Sequence, residues 1–255
     1  MGNRVAGKVA VITGSSGGMG EGIARCLAAE GAAVVISGRR AERCEQVAAE
    51  INRSGGSAIW MKADVSSEAD CIALIHRTAE HFGRIDILVN NAAITPKEPD
   101  LQVSCEQWDE VFDVNVRGAF LCCREAIPLM QKAGGGSIIN IGTGMAYVGS
   151  TTRLAYSCSK GALLTLTKTL ARTYAPDRIR VNWVIVGWVA TPGEIDNKNQ
   201  IYGDGQAFLD DVAQRQPLGH LETVEDIAAG VLFLASDESS HVIGCELNIT
   251  GGRRI

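Results

Sequence analysis

Short apolar runs alternate with longer amphipathic stretches along the whole chain. Residues 9–12 are apolar without a break, and residues 19–27 repeat apolar side chains at helical spacing. The first pattern is typical of a strand buried on both faces, and the second of a helix packed against it. Because this alternation recurs without an internal repeat or a linker, we predict a single α/β domain over residues 1–255, a doubly wound parallel sheet with helices on both faces.

The pattern predicts seven strands and several long helices. The strands are expected at 9–12, 33–37, 57–61, 85–89, 137–141, 179–185 and 245–249. Residues 104–132 and 153–175 are predicted to form the two longest helices. Residues 191–218 do not continue the alternation of strand and helix patterns, because they are polar and irregular. A long insertion of this kind is commonly a lid, so we predict a substrate lid there, with a surface loop without function as the alternative.

Composition and charge narrow the class of protein. A chain of 255 residues can hold one ordinary α/β domain, and a net charge of −5 argues against a nucleic-acid partner. No signal peptide or transmembrane segment is evident, and none of the eight cysteines forms a Cys-x-x-Cys pair. We therefore expect a cytoplasmic protein with reduced cysteines and no membrane partner. The four histidines lack metal-ligand spacing, so no metal is expected.

A glycine-rich turn joins the first predicted strand to the first predicted helix. Residues 13–20 are Thr-Gly-Ser-Ser-Gly-Gly-Met-Gly. Glycine permits positive φ angles and lets backbone N–H groups approach a ligand, and the N-terminus of the following helix attracts anions. The turn predicts a dinucleotide site, with a plain glycine-rich turn as the alternative.

A tyrosine and a lysine stand four residues apart, at Tyr156 and Lys160. On a helix this spacing puts both side chains on one face. An ammonium beside a phenol favours the phenolate, so Lys160 is expected to lower the pKa of Tyr156. A tyrosine tuned in this way can exchange a proton with an alcohol or carbonyl oxygen near neutral pH.

Together these motifs resemble the short-chain dehydrogenase/reductase family. The resemblance runs from Lys8 to about Gly252, and it includes the Thr-Gly-x-x-x-Gly-x-Gly spacing of the turn and the Tyr-x-x-x-Lys pair. It implies a Rossmann-like fold and an NAD(P)-dependent oxidoreductase that interconverts a secondary alcohol and a ketone. It further implies a small-molecule substrate, Tyr156 as general acid/base, and a homotetramer or homodimer.

The resemblance also implies roles for particular positions. Catalytic roles fall on Asn115, Thr143, Tyr156 and Lys160, and Lys160 also bonds the nicotinamide ribose. Asn115 resembles the family's asparagine that helps to hold a proton-relay water, and bonding of its amide to the backbone at a helix kink is an alternative compatible with that role. The cofactor-binding positions are Gly14, Ser16, Gly18, Met19, Gly20, Gly38, Arg39, Asp64, Val65, Asn91, Tyr156, Lys160, Gly187, Val189 and Thr191.

One catalytic position departs from the family pattern. The family usually has a serine thirteen residues before the tyrosine, and here that position is Thr143. Threonine keeps the hydroxyl that could bond the substrate oxygen, but adds a methyl group and stiffens χ1. We expect activity to survive, with a more restricted pocket.

The end of the second predicted strand bears on the choice of cofactor. An NAD-preferring site usually has an acidic side chain there, which bonds the adenosine 2′-hydroxyl. Gly38 holds that position and Arg39 follows, which leaves room and positive charge for a 2′-phosphate. NADP(H) is therefore favoured, and NAD(H) stays open because the glycine turn lacks a further basic residue.

Three residues are expected to face the substrate: Met145, Arg153 and Trp188. The guanidinium of Arg153 would suit a carboxylate, a phosphate or a polyhydroxylated substrate, unless it is a solvated arginine in the first helical turn. Trp188 could stack on a substrate or pack as a wall of the pocket.

Two other functions are compatible with parts of the sequence. A catalytically silent nucleotide-binding regulatory protein would share the fold, but loss of Tyr156 or Lys160 would be expected in it. A reductase of a carrier-linked 3-oxoacyl substrate would need a basic docking patch, whereas the predicted lid is acidic. Its acidic side chains are Glu194, Asp196, Asp204, Asp210 and Asp211.

Overall fold

The structure is a computed structural model that describes residues 3–97 and 100–253. Strands and helices alternate along it. The strands are β1 (Val9–Ile12), β2 (Ala33–Gly38), β3 (Ser57–Lys62), β4 (Ile87–Asn90), β5 (Gly136–Thr143), β6 (Ile179–Val186) and β7 (Glu246–Ile249). The helices are α1 (Gly18–Ala29), α2 (Ala41–Arg53), α3 (Glu68–Phe82), α4 (Cys105–Phe112), α5 (Gly118–Ala133), α6 (Met145–Val148), α7 (Leu154–Tyr174), α8 (Pro192–Tyr202), α9 (Gly205–Gln214) and α10 (Val224–Ala235). None of the helices described has the length and apolar composition that a membrane span needs.

The strands form one parallel sheet in the order β3-β2-β1-β4-β5-β6-β7. Parallel neighbours need crossover connections, and the helices between the strands supply them. The strand order reverses between β1 and β4, so the loops at their carboxyl ends diverge and leave a crevice. The predicted fold class, a doubly wound α/β fold with a seven-stranded parallel sheet, is confirmed.

Successive side chains of β1 enter two different cores. Ala10 and Ile12 pack with side chains of α1, α2 and α10, whereas Val11 packs with side chains of α3 and α5. All three are fully buried. Because neighbouring residues of a strand point to opposite faces, a strand that is covered on both sides must be apolar at every position. This explains the unbroken apolar run in the sequence.

Two segments differ from the sequence prediction. The helix expected over 104–132 contains a π-helical turn at Asp113–Arg117, which joins α4 to α5. The segment 191–218, predicted to be irregular, forms α8 and α9. The side chains of Thr191 and Asp204 cap the first turns of these two helices. Capping residues and exposed helix faces are polar, which is why short surface helices resemble a loop in the sequence.

A chain of buried hydrogen bonds ties the sheet to α7. Asn90 Nδ2 donates to Asn140 Oδ1 (2.8 Å), and Asn140 Nδ2 donates to Thr167 Oγ1 (2.8 Å). The Thr167 hydroxyl donates in turn to the carbonyl of Leu163 (2.8 Å). Polar groups enclosed in a core are stable when they are hydrogen-bonded, so this chain favours one position of α7 over β4 and β5. The helix that carries Tyr156 is thereby held against the sheet.

Replacement of Thr167 by valine keeps the shape of the side chain and removes its hydroxyl. We expect Thr167→Val to lower the free energy of unfolding by about 1–3 kcal/mol, because the buried Nδ2 group of Asn140 loses its acceptor. Urea unfolding at equilibrium measures this difference.

Thr165→Val is the matched control, two residues away on the same helix. The Thr165 hydroxyl also donates to the carbonyl four residues before it, but the side chain is exposed. Its replacement should change the free energy of unfolding by less than about 0.5 kcal/mol. Equal losses in the two variants would contradict a special role for the buried chain.

Candidate active site

Two connected hollows open at the carboxyl ends of the strands. A groove of about 480 Å³ runs past the ends of β1, β2 and β4, and a cavity of about 770 Å³ lies over the ends of β5 and β6. Met19, Asn91, Tyr156 and Thr191 line both of them. The groove and the cavity therefore form one cleft, with Tyr156 at their junction.

The glycine-rich turn shapes the groove at the start of α1. Gly14 and Gly18 have φ angles of 64° and 55°, which residues with a Cβ disfavour. A Cβ on Gly20 would stand 2.5 Å from Asn91 Nδ2, the atom that donates to the carbonyls of Thr13 (2.9 Å) and Gly14 (3.1 Å). No side chain caps the N-terminus of α1. An uncapped helix N-terminus behind a glycine turn suits an anionic ligand such as a pyrophosphate.

Every residue predicted to bind the cofactor lies along this cleft. The groove is lined by Gly14, Ser16, Gly18, Met19, Gly20, Gly38, Arg39, Asp64, Val65 and Asn91. The cavity is lined by Lys160, Gly187 and Val189, and both hollows by Tyr156 and Thr191. The residues present fit a dinucleotide, while the binding role of each residue stays a prediction.

Two arginines line the groove where β2 ends, Arg39 and Arg40. Arg40 Nη2 lies 3.3 Å from the point where a Cβ on Gly17 would stand, so its charge reaches the glycine-rich turn. Sequence reasoning missed Arg40, because it approaches the turn only in the folded chain. Burial would raise the pKa of Asp64, but hydrogen bonds from Ser66 and the charge of Arg39 leave that pKa lowered. Two guanidinium groups and one carboxylate therefore line the end of the groove next to β2.

Three of the four predicted catalytic side chains meet where the groove joins the cavity. The hydroxyl of Thr143 lies beside the phenol of Tyr156, where hydrogen bonding acts to lower the pKa of the phenol, and both residues line the cavity. Lys160 follows Tyr156 by one turn of α7, and its Nζ lies 5.8 Å from the centroid of the phenol ring. Lys160 Nζ donates to the carbonyl of Ile141 (2.7 Å), which ties α7 to β5. The hydroxyl of Thr143 is thus available beside the tyrosine.

Burial shifts both titratable groups of this trio toward their neutral forms. It raises the pKa of Tyr156 to about 12, against the lowering effects of the Arg153 charge and the Thr143 hydrogen bond. It lowers the pKa of Lys160 to about 8. The prediction that Lys160 lowers the pKa of Tyr156 is wrong for this structure. Desolvation of the phenol outweighs the neighbouring charge, and the lysine donates to a backbone carbonyl instead.

Asn115, the fourth predicted catalytic residue, lies behind the cleft and does not line it. It is buried in the π-helical turn, where Oδ1 accepts from the N–H of Ile94 (2.8 Å) and Nδ2 donates to the carbonyl of Ile94 (2.9 Å). Nδ2 also donates to Ser159 Oγ (3.0 Å). The amide therefore bonds the backbone at a helix kink, which is the alternative that the sequence left open. Its part in holding a relay water stays a prediction.

Met145, Arg153 and Trp188 all line the cavity. The ring of Trp188 packs edge-on against Phe208, with centroids 5.7 Å apart, and its Nε1 donates to Glu194 Oε1 (3.1 Å). Trp188 is thus part of the wall and links it to α8 and α9. Its stacking on a substrate stays a prediction.

A buried carboxylate, Glu222, holds the loop that follows β6. Its Oε2 accepts from the N–H of Trp188 (2.7 Å), and its Oε1 is buried without a hydrogen-bond partner among the described residues. A Cβ on Gly187 would stand 2.5 Å from Oε1, so a side chain there would force this carboxylate to move. Sequence reasoning missed Glu222, because it lies 34 residues from Trp188 and no local spacing relates the two.

Comparison with known proteins identifies the family. A family model described as enoyl-(acyl carrier protein) reductase matches residues 14–254. The chain belongs to the short-chain dehydrogenase/reductase family. Among its relatives in this family, the cis-4-hydroxycyclohexanecarboxylate dehydrogenase of Sinomonas cyclohexanicum is 38% identical over 253 residues, covering 99% of this chain and 98% of the relative. The cyclopentanol dehydrogenase of Comamonas testosteroni is 39% identical, and 98% of each chain is covered.

A solved structure of the same family shares the fold closely. The L-sorbose reductase of Gluconobacter frateurii, complexed with NADPH and L-sorbose, matches with a TM-score of 0.95 at 31% identity, covering 99% of this chain and 98% of that one. These relatives confirm the predicted activity class. The protein is an NAD(P)-dependent short-chain dehydrogenase/reductase that interconverts alcohols and ketones.

In this short-chain dehydrogenase/reductase, an indole ring supports the strand end that carries Thr143. Trp183 is fully buried on β6 and lies against Gly142 of β5. A Cβ on Gly142 would stand 2.0 Å from atoms of the Trp183 ring. The glycine therefore makes room for the indole, and the indole fixes the backbone one residue before the Thr143 hydroxyl.

Gly142→Ala should force either the indole or the strand end to move. We expect it to lower the free energy of unfolding by about 1–3 kcal/mol, as overpacking of a core does. Catalytic turnover should fall as well, because Thr143 follows directly. Urea unfolding and steady-state kinetics on the same preparations measure both effects.

Gly161→Ala on α7 is the control, because the nearest atom to its Cβ would be the carbonyl oxygen of Ala146 at 3.8 Å. Alanine there should stabilise the helix by about 0.5–1 kcal/mol. A second substitution, Trp183→Leu, should recover part of the loss in Gly142→Ala by vacating the space. An unchanged stability in Gly142→Ala would refute the close packing.

Proposed function

We propose that the cleft binds NADP(H) together with a compact secondary alcohol or ketone, and that Tyr156 exchanges the proton of the substrate oxygen. One observation carries the proposal: Tyr156 lines both the groove and the cavity while its phenol contacts the Thr143 hydroxyl. A substrate oxygen held by these two groups would be reached from both parts of the cleft. A pKa of about 12 keeps the phenol protonated at neutral pH, as a proton donor must be.

The reaction divides between the cofactor and the chain. The nicotinamide, when bound, supplies or accepts the hydride. Tyr156 gives its phenolic proton to the carbonyl oxygen in reduction. In oxidation its deprotonated form, the phenolate, takes the proton of the substrate hydroxyl. The Thr143 hydroxyl bonds the same oxygen, and Lys160 holds α7 against β5 beside them through its bond to the Ile141 carbonyl. Asn115 acts as a positioning residue through its two bonds to the Ile94 backbone.

Tyr156→Phe removes the proposed proton donor and keeps the ring. We expect kcat to fall by about a hundredfold to ten-thousandfold, the usual contribution of general acid–base catalysis. Oxidation of NADPH in the presence of cyclic ketones, followed by absorbance, measures the loss.

Cofactor binding separates a lost proton donor from a lost fold. Addition of NADPH should still quench the tryptophan fluorescence of the Tyr156→Phe protein. Thr143→Ser, which keeps the hydroxyl, should have a kcat close to that of the unaltered enzyme. Thr143→Val, which lacks it, should have a much lower kcat. A Tyr156→Phe enzyme with more than about a tenth of the original kcat would disprove the assignment.

The preference for NADP(H) rests on the two arginines of the groove. Arg39 and Arg40 both line it, and Gly38 leaves the space that an acidic side chain would fill in an NAD site. The NADPH in the L-sorbose reductase structure agrees with this choice. A guanidinium recognises a phosphate through paired, charge-assisted hydrogen bonds.

Arg39→Gln should therefore weaken the binding of NADPH much more than that of NADH. We expect the Kd for NADPH to rise at least about tenfold, as loss of a charged hydrogen bond does, with the Kd for NADH within about twofold. Fluorescence titration with each cofactor measures the two constants. Arg53→Gln, at the exposed end of α2, is the control and should leave both unchanged. Equal effects on the two cofactors would count against a phosphate site.

The substrate class is supported by the size of the cavity and by the relatives. A cavity of about 770 Å³ accepts a small ring or polyol. Two of the relatives are named for cyclopentanol and for cis-4-hydroxycyclohexanecarboxylate. Both of these compounds carry the alcohol on a ring. We take a compact cyclic secondary alcohol as the substrate class, with α8 and α9 as the substrate lid.

The carrier-linked alternative gains no support from the lid. Glu194 pairs with Lys198 (2.7 Å) and Asp211 with Arg215, and the described side chains of the segment form no basic docking patch. Self-association into a dimer or tetramer agrees with the exposed ring of Phe120 on α5, which is 44% accessible. An exposed aromatic side chain on a long helix is typical of an interface.

A further inference from the structure

The walls of the cavity carry more positive than negative charge. Three cationic side chains line it, Arg153, Lys160 and Arg253. Among the described lining residues, Glu194 is the sole carboxylate. An enclosed surface with an excess of one charge attracts a ligand of the opposite charge.

The charge of Glu194 is already neutralised inside the protein. Its Oε1 lies 2.7 Å from Nζ of Lys198, a lysine whose side chain is 2% exposed. The same ammonium lies 5.2 Å from the ring centroid of Trp188 and 5.7 Å from that of Phe208. This half-buried carboxylate does not repel an anion in the cavity, because the buried Lys198 compensates its charge.

The guanidinium of Arg153 is incompletely satisfied. Its Nε is buried and has no hydrogen-bond partner among the described residues. Lys160, in contrast, donates to the carbonyl of Ile141. A buried N–H without an acceptor is costly, and in a ligand site it marks the place of a missing acceptor. The side chain of Arg153 is therefore not the fully solvated arginine that the sequence left as an alternative.

The position of Arg153 bears directly on the reaction. It precedes Tyr156 by three residues at the start of α7, and its charge lowers the pKa of the phenol. Arg253 contributes a second guanidinium, 5.8 Å from the centroid of the Trp188 ring. An anionic group bound by Arg153 would thus sit near the phenol, with the N-terminus of α7 adding a favourable dipole.

We propose that the substrate carries a carboxylate, and that Arg153 binds it with help from Arg253. The inference rests on the proposed function and narrows its substrate class to hydroxy acids and oxo acids. A carboxylate is favoured over a phosphate dianion, because only Arg153 offers a buried N–H group without a partner, whereas Arg253 is exposed. A planar carboxylate also matches the fork of a single guanidinium.

Binding of unreactive analogues tests the proposal without turnover. Calorimetric titration of the protein, with NADPH present, compares cyclohexanecarboxylate, cyclohexanecarboxamide and cyclohexyl phosphate. We expect the carboxylate to bind at least about tenfold more tightly than the amide. Equal binding of acid and amide would overturn the proposal, and tighter binding of the phosphate would overturn the choice of a carboxylate.

Four variants test whether Arg153 is the source of the preference for the carboxylate. Arg153→Gln should abolish the preference for the acid over the amide, and Arg253→Gln should reduce it. Arg172→Gln, on the exposed last turn of the same helix, should keep the preference. Circular dichroism checks that each variant is folded, and Arg153→Lys, which restores charge, should recover part of the preference if the fold is intact. A preference that survives in Arg153→Gln would overturn the assignment.

Turnover separates this proposal from the proposed function. 4-Oxocyclohexanecarboxylate and its methyl ester are compared as substrates with NADPH. The KM for the acid should rise at least about tenfold in Arg153→Gln, while the KM for the ester changes less than about twofold. Reduction of acid and ester with equal KM would reject the anion site and leave the oxidoreductase intact. Binding of the acid through Arg153 without any turnover would support the anion site and count against the proposed function.

Discussion

Burial of the parallel sheet on both faces is the constraint on which the rest of the molecule depends. Neighbouring side chains of β1 enter two different cores, so a polar side chain has no favourable position along that strand. Groups that do chemistry are therefore confined to the strand ends, where the crevice between β1 and β4 opens. Three of the polar residues that lie inside, Asn90, Asn140 and Thr167, are linked by hydrogen bonds that hold α7 in place.

The same enclosure governs the charges of the cleft. Loss of solvation raises the pKa of Tyr156 to about 12 and lowers that of Lys160 to about 8, so both groups are pushed toward neutrality. A charge that remains in such surroundings needs a partner. Glu194 has one in Lys198, whereas Arg153 Nε has none among the described residues. This unpaired guanidinium N–H distinguishes the cavity from a neutral, apolar pocket. It is the reason why we expect the cavity to prefer an anionic ligand.

The walls of the site depend on pairs in which a large or charged side chain faces a glycine. Trp183 fills the space beside Gly142, and Glu222 fills the space beside Gly187. In each pair a Cβ on the glycine would collide with its partner, so the two positions are constrained together. Such contacts fix the backbone that carries the Thr143 hydroxyl and the Trp188 wall. The positions of the groups that line the cleft are thus fixed by close packing behind them.

The sequence by itself determined the fold class and most of the cleft. A two-sided apolar strand, a glycine turn and the Tyr156–Lys160 spacing are local patterns, and parallel strands bring their carboxyl ends together whatever the details of packing. Only the tertiary structure decided the helical form of 191–218 and the sign of the Tyr156 pKa shift. It alone also showed that Arg40 approaches the glycine-rich turn and that Glu222 holds the loop after β6. Each depends on solvation or on contacts between distant segments. Spacing along the chain carries no information about burial or long-range contact, so these features had to await the folded molecule.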